Sequence, residues 1–222
     1  MPIFLPTVEW EHRYQQRLAL APLTSAATSL RLVTEIGLAL DAPILDVGCG
    51  TSAFLSGLLA LHYANLLATD ISPTALSQHR HQLGVKEADR ILWLAEDVTT
   101  PHQLAALQPV LLWHDQGLLQ ELTMPAQQQA YTQLLDHVLA PGGWVLLAAP
   151  TPVADGPAPS KLPQAYDATD LATLLGAEYV LQHHEQQPYA RLTEPTRLYT
   201  YALFQRTQRP SKGFRLQPFG PR

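Results

Sequence analysis

Two glycines one residue apart, Gly48 and Gly50, follow directly on the apolar run Ile44-Leu45-Asp46-Val47. Glycine has no Cβ, so a backbone that turns there can come close to a ligand. Thr51 and Ser52 follow and open a helix-like stretch, whose first free N–H groups favour an anion. Gly48-Cys-Gly50-Thr-Ser-Ala53 thus fits the G-x-G-x-x-[G/A] pattern of dinucleotide binding. A further acid, Asp70, closes the apolar run LLATD. A carboxylate at that place can accept both hydroxyls of an adenosine ribose. Enzymes that use NAD and enzymes that use S-adenosylmethionine share that logic, so Asp70 points to a nucleoside without choosing between them. Asp46 does discriminate: two residues ahead of the first glycine, it would repel a pyrophosphate and help a cofactor with a cationic amino-acid end.

These residues need a sheet to place them. Strand-like and helix-like segments alternate along the chain, the pattern of a mostly parallel sheet with helices on both faces. A helix is expected over 25–40, capped by Ser25 or Thr28, and its position ahead of the first strand is unlike many dinucleotide domains. PILDV, NLLATD, RILWLAED, PVLLWHD and GGWVLLAAP read as five strands. SAFLSGLLALHY, PTALSQHRHQL, the short PHQLAAL and PAQQQAYTQLLDHVL read as the intervening helices, the last stopped by Pro-Gly-Gly. Residues 150–165 read as a long loop, and DATDLATLLG as a helix with Asp167 at its N-cap. EYVLQHHEQQ and RLYTYALFQR are joined without a helix, so that final pair must be antiparallel. No internal repeat or linker divides the chain.

Composition narrows the class. The 222 residues suffice for one domain with a full core, and 46% hydrophobic with 15% charged residues is ordinary for a soluble protein. No apolar run is long enough to span a membrane, and the start lacks the features of a signal peptide. The single cysteine, Cys49, cannot form an internal disulfide, and with these absences it points to the cytoplasm. Cys49 itself reads as a buried filler rather than a reactive thiol. The net charge of −5 is uneven: residues 207–222 hold four basic residues and no acid, leaving ten basic against nineteen acidic residues before them. Such a body is a poor binder of nucleic acid. The basic segment 207–222 reads as a flexible tail outside the single domain of residues 1–206. His183, His184 and Glu185 alternate across a strand and make a poor metal site, so no metal is expected.

DVGCGTS, TDISPTAL, AEDV and LAPGGWVLL, in this order and spacing over residues 44–147, resemble the class I S-adenosylmethionine-dependent methyltransferases. The resemblance implies a Rossmann-like α/β fold, with a seven-stranded sheet of order 3-2-1-4-5-7-6 and the seventh strand antiparallel. It implies S-adenosylmethionine as cofactor and S-adenosylhomocysteine as product. It places the methionine part against Asp46, Gly48 and Gly50, the cofactor carboxylate on N–H groups near Thr51 and Ser52, the ribose on Asp70, and the adenine between Ile71, Asp97 and Val98. Ser52 stands where the family pattern has its third glycine.

The acceptor side is set at the end of the fourth strand, at Trp113, His114 and Asp115 in LLWHDQGLLQ. The resemblance implies that this place faces the cofactor sulfur. His114 is the candidate general base, since imidazole titrates near neutrality. Trp113 is also expected beside the cofactor, and with Trp10 and Tyr14 could wall the pocket; Asp115 belongs to the same pocket. Segments 1–24 and 150–165 are the expected lids. EWEHRY, WHD and DGP…LP-x-x-Y are similar to a bacterial group of small class I methyltransferases with the patterns W-x-x-R-Y, W-H-D-R-A-x-x-H-F-L and D-G-P-x-x-C-S-G-L-P. Here Gln116 replaces the Arg, Gln120 replaces the second His, and APSK is one residue shorter than the corresponding stretch and lacks its Cys. DQGLL is also similar to the D-K-G-T-[LF]-D segment of lysine methyltransferases that act on translation elongation factors. The expected function is methyl transfer to a small molecule by a monomer or homodimer, with a protein lysine as the second acceptor. An NAD-dependent oxidoreductase and a non-catalytic cofactor-binding subunit are the alternatives of other kinds. Partners among nucleic acids and membranes are not expected.

Overall fold

The computed structural model describes residues 6–16, 26–152, 164–191 and 194–207. Its centre is β1 (Ile44–Val47), in which all four residues are buried. A strand covered on both faces is normally apolar throughout, and Asp46 is the one exception here. The other strands are β2 (Leu66–Asp70), β3 (Ile91–Ala95), β4 (Val110–Gln116), β5 (Leu139–Pro150), β6 (Tyr179–Arg191) and β7 (Glu194–Arg206). They form one sheet of order β3-β2-β1-β4-β5-β7-β6. β1 to β5 run parallel, and β7 is antiparallel to both β5 and β6. Order and direction are those expected from the sequence.

Helices cover both faces. The elements α1 (Pro6–Gln15), α2 (Ala27–Ile36), α3 (Phe54–Ala60), α4 (Pro73–Leu83), the single turn α5 (Val85–Ala88), α6 (Pro125–Val138) and α7 (Ala168–Leu175) follow in chain order. On one face, Leu32 and Val33 of α2 and Phe54, Leu55 and Leu58 of α3 pack on Ile44, Leu112 and Leu146. On the other, Tyr131, Leu134 and Leu135 of α6 and Leu171 of α7 pack on Leu45, Val47, Trp113 and Val145. The two sets obey the strand period of two: Ile44 and Asp46 face α2 and α3, Leu45 and Val47 face α6. Truncating a buried leucine such as Leu58 in these layers costs about 2–5 kcal/mol. Among the described residues no helix is long and apolar enough to cross a membrane.

Several expectations need correction. The helix foreseen over 25–40 spans only Ala27–Ile36, because Gly37 takes the left-handed conformation (φ +65°) and stops it. Thr28 lies inside that helix and Ala26 holds its N-cap, while Ser25 lies outside the described residues. The N-terminal segment read only as a lid carries the helix α1. PHQLAAL forms a single 3-10 turn, Leu104–Ala106, and Glu96 receives the backbone N–H groups of Gln103 and Leu104 at its start. β5 begins at Leu139, before Pro-Gly-Gly rather than after it. Asp167 does cap α7, accepting the N–H groups of Thr169 and Asp170 at 2.8 Å. Most of the 150–165 loop (153–163), the tail from 208, and parts of the N-terminal lid (1–5 and 17–24) lie outside the described residues.

Candidate functional site

The glycine turn sits where β1 ends, and its two glycines are required for different reasons. Gly48 (φ +61°) passes so close to Leu118 that a Cβ would lie 2.7 Å from the Leu118 Cβ. Gly50 (φ +49°) lies under the hydroxyl of Tyr14, and a Cβ there would collide with it. Asp70, at the end of β2, accepts the Gly50 N–H with one oxygen and the Ser72 N–H with the other, both at 2.9 Å. Burial pushes the Asp70 carboxyl up to about 6, although those N–H groups pull the other way. On the opposite side of the turn, His79 Nδ1 is 2.8 Å from the Gly50 carbonyl oxygen, which can only accept. Burial lowers the His79 pKa, so the ring is neutral with its proton on Nδ1. His79 was not foreseen. Its signal was helical spacing, because Ala75, Leu76 and His79 make the buried face of α4.

α1 closes the turn from above. Glu11 accepts the Ser72 hydroxyl at 2.6 Å, the Thr74 N–H at 3.2 Å and the Thr74 hydroxyl, which ties α1 to the start of α4. Gln78 donates to the Tyr14 carbonyl at 3.0 Å. Trp10 stands beside Tyr14 with ring centres 6.2 Å apart, and the Arg13 guanidinium covers it at 4.7 Å. α1 thus brings Trp10 and Tyr14 together, with Tyr14 at the glycine turn.

Asp46 and His114 are register partners on β1 and β4. His114 Nδ1 lies 2.7 Å from Asp46 Oδ1, and His114 Nε2 lies 3.0 Å from the Ser29 hydroxyl. The imidazole is 1% exposed and stacks on Phe54, so the ring foreseen as a general base has both nitrogens engaged and no open face. Trp113 and Asp115 point the other way, as alternate residues of a strand must. Trp113 is fully buried in the α6-side core and donates to Tyr131 at 2.9 Å. Asp115 receives the Tyr131 hydroxyl and the N–H groups of Leu118 and Leu119. It therefore orders the turn after β4, and burial raises its carboxyl to about 6.

The remaining candidates divide similarly. Ser52 donates its N–H to the Cys49 carbonyl at 3.2 Å, so that group is committed to the turn rather than offered to a carboxylate. Asp97 accepts the N–H and the hydroxyl of Thr99 with one oxygen. Val98 is buried in the α6-side core, and Ile71 is half-buried at the end of β2. Cys49 is buried, and burial, followed by the charges of Asp70 and Asp46, drives its thiol well above the ordinary value, as a filler requires.

Two oxygens at the turn, Asp46 Oδ2 and Thr51 Oγ1, are buried without a hydrogen-bond partner among the described residues, as is Gln78 Oε1 on α4. Buried polar atoms are nearly always paired. A group that brings an ammonium and further donors to the turn fits this set, whereas a pyrophosphate would meet the Asp46 carboxylate.

Residues 45–145 match the model of a methyltransferase domain family. Among curated proteins, none matches the chain. Solved structures share its fold. An S-adenosylmethionine-dependent methyltransferase from Anabaena variabilis is 15% identical with a TM-score of 0.73, over 92% of this chain and 96% of its own. The Burkholderia thailandensis 1,6-didemethyltoxoflavin-N1-methyltransferase, bound to 1,6-didemethyltoxoflavin and S-adenosylhomocysteine, is 16% identical with a TM-score of 0.70, over 93% and 92%. A protein studied for the conversion of a disulfide bond into a thioacetal group during echinomycin biosynthesis is 18% identical with a TM-score of 0.70, over 92% and 94%. Residues 45–145 thus match a methyltransferase domain, and the sheet order with its antiparallel β7 is the fold of the solved S-adenosylmethionine-dependent methyltransferases that the chain resembles.

Proposed function

We propose that the protein transfers the methyl group of S-adenosylmethionine to a small-molecule acceptor and releases S-adenosylhomocysteine. The carrying observation is the pair of buried, unpartnered oxygens at the glycine turn, Asp46 Oδ2 and Thr51 Oγ1. Asp46 receives the cofactor ammonium, Gly48 and Gly50 let the backbone approach its methionine part, and Thr51 meets the carboxylate. Asp70 takes the ribose hydroxyls with its remaining lone pairs, Ile71 covers the adenine, and Asp97 accepts from the adenine amino group beside Val98. The bound cofactor supplies a methyl carbon already activated by a sulfonium. The chain's own work is to orient the acceptor and exclude water, which needs few catalytic side chains.

A small, uncharged acceptor suits the end of β4. Gln116 donates to the Tyr201 hydroxyl at 3.3 Å and Gln120 receives the Tyr199 hydroxyl at 3.1 Å, which puts neutral hydrogen-bonding groups there. The Burkholderia relative also acts on a small molecule. A protein lysine is less well served, because Asp115 of DQGLL is consumed in holding its own turn. One buried cysteine and no membrane-crossing helix among the described residues suit work in the cytoplasm.

Isothermal titration with S-adenosylhomocysteine, with NADH run in parallel, tests the reading. Micromolar binding of S-adenosylhomocysteine alone is expected, and an acceptor screen then follows. Binding of NADH alone would overturn it in favour of an oxidoreductase. Cofactor binding with no turnover on any acceptor would make the chain a non-catalytic subunit.

A further inference from the structure

Five side chains from four elements form one continuous row of hydrogen bonds beneath the glycine turn. Asp46 Oδ1 lies 2.7 Å from His114 Nδ1, and His114 Nε2 lies 3.0 Å from the Ser29 hydroxyl. Ser29 donates to Gln116 Oε1 at 3.2 Å, and Gln116 donates to the Tyr201 hydroxyl at 3.3 Å. The imidazole is held at both nitrogens, and its face rests on Phe54 with ring centres 3.6 Å apart and planes 19° apart. It cannot turn without breaking one of these contacts. Asp46 is therefore gripped by one oxygen only, and its other oxygen is buried with no partner.

We infer that His114 is a positioning residue for the amino-acid end of the cofactor. It fixes Asp46 Oδ1, leaves Oδ2 aimed at the ammonium, and is itself kept in place by Ser29. This rests on the reading of Asp46 as the ammonium partner. A carboxylate free to rotate would have to be ordered on binding, at a cost in affinity; one already held does not. The row also explains why a histidine at the tip of β4 is not open to an acceptor: each nitrogen already has a structural task.

The two nitrogens can be tested separately. The side-chain amide of asparagine places an N–H near the position of Nδ1, and that of glutamine near Nε2. His114→Asn keeps the bond to Asp46, His114→Gln keeps the bond to Ser29, and His114→Phe keeps only the stacking on Phe54. Isothermal titration with S-adenosylhomocysteine is expected to show about a tenfold loss for His114→Gln and His114→Phe, with His114→Asn within about threefold of the parent protein. Titration with 5′-methylthioadenosine, which carries the adenosine but no amino acid, is expected to be unchanged in all three. Equal losses for both ligands would mean general damage and overturn the inference. So would unaltered S-adenosylhomocysteine binding in the Gln and Phe variants while Asp46→Asn weakens it. An Asp46→Asn protein that binds as tightly as the parent would instead overturn the Asp46 reading, and this inference with it.

Discussion

Asp70 Oδ2 accepts the backbone N–H of Gly50 across 2.9 Å, so the acid that ends β2 also fixes the turn that ends β1. Its carboxyl stands near 6, raised first by burial. Ribose hydroxyls donate to a carboxylate and so favour its ionised form. Affinity for S-adenosylhomocysteine should therefore rise with pH through about 6 and level off above it. Asp70→Asn should abolish that dependence and weaken binding by about 1–3 kcal/mol. Titrations between about pH 5 and pH 8 check this, and a flat parental profile would remove the ribose assignment.

Gly50 carries both a positive φ and the Tyr14 hydroxyl above its Cα. The left-handed backbone alone costs a side chain about 1–2 kcal/mol. Gly50→Ala should cost more than that, because the new methyl meets Tyr14. Adding Tyr14→Phe removes the colliding oxygen and should recover part of the loss. Denaturant unfolding of the two single variants and the double variant measures the coupling; simple additivity would show that the contact carries no strain.

Asp115 has a folded pKa near 6 against an ordinary value of 3.8, raised first by burial. A carboxyl raised in the folded state binds its proton more tightly there than in the unfolded chain. It therefore favours folding while protonated, and that advantage is lost as pH rises from about 4 to about 6. The change amounts to about 3 kcal/mol. Asp115→Asn cannot ionise, so its stability relative to the parent should improve by that order between pH 4 and pH 8, as estimated from the same linkage. Urea unfolding at both pH values checks the sign, and a constant difference would refute it.

Glu11 is the main tether of α1 to α4. Burial works to raise its carboxyl, but the bonds from Ser72 and Thr74 outweigh this and hold it below the ordinary 4.5. Docking of α1 is thus complete above that ordinary value and weakens as pH falls through the lower folded one. Glu11→Ala should speed amide exchange in α1 by about tenfold or more while leaving exchange in β1 and β4 unchanged. Unchanged exchange in α1 would show that Tyr14 and Gln78 hold the helix without Glu11.

How much of this was readable in advance can be judged from single residues. Gly48, Gly50, Asp46 and Asp70 carried their meaning in local spacing, as did the apolar strands and the helix-free link between β6 and β7. Trp113, His114 and Asp115 show the limit. The strand period of two already implied that neighbours on β4 point to opposite faces, so the three could not share one pocket. Which of them would face the glycine turn depended on the packing of α2 and α3 against one face and α6 against the other.

His79, Glu11 and Ser29 reach their partners across 29, 61 and 85 positions of chain. No local pattern marks such contacts, because they exist only once helices have been laid on the sheet and their rotation about their own axes is fixed. By itself the sequence determined the class of fold, the antiparallel last pair and the cradle at the end of β1, since these follow from short-range periodicity and from backbone that only glycine adopts easily, while the order of the strands was implied only by the family resemblance. The tertiary structure alone decided that His114 supports Asp46 and that Tyr14 closes over Gly50, because those relationships are set by burial and by which face each side chain turns to its neighbour.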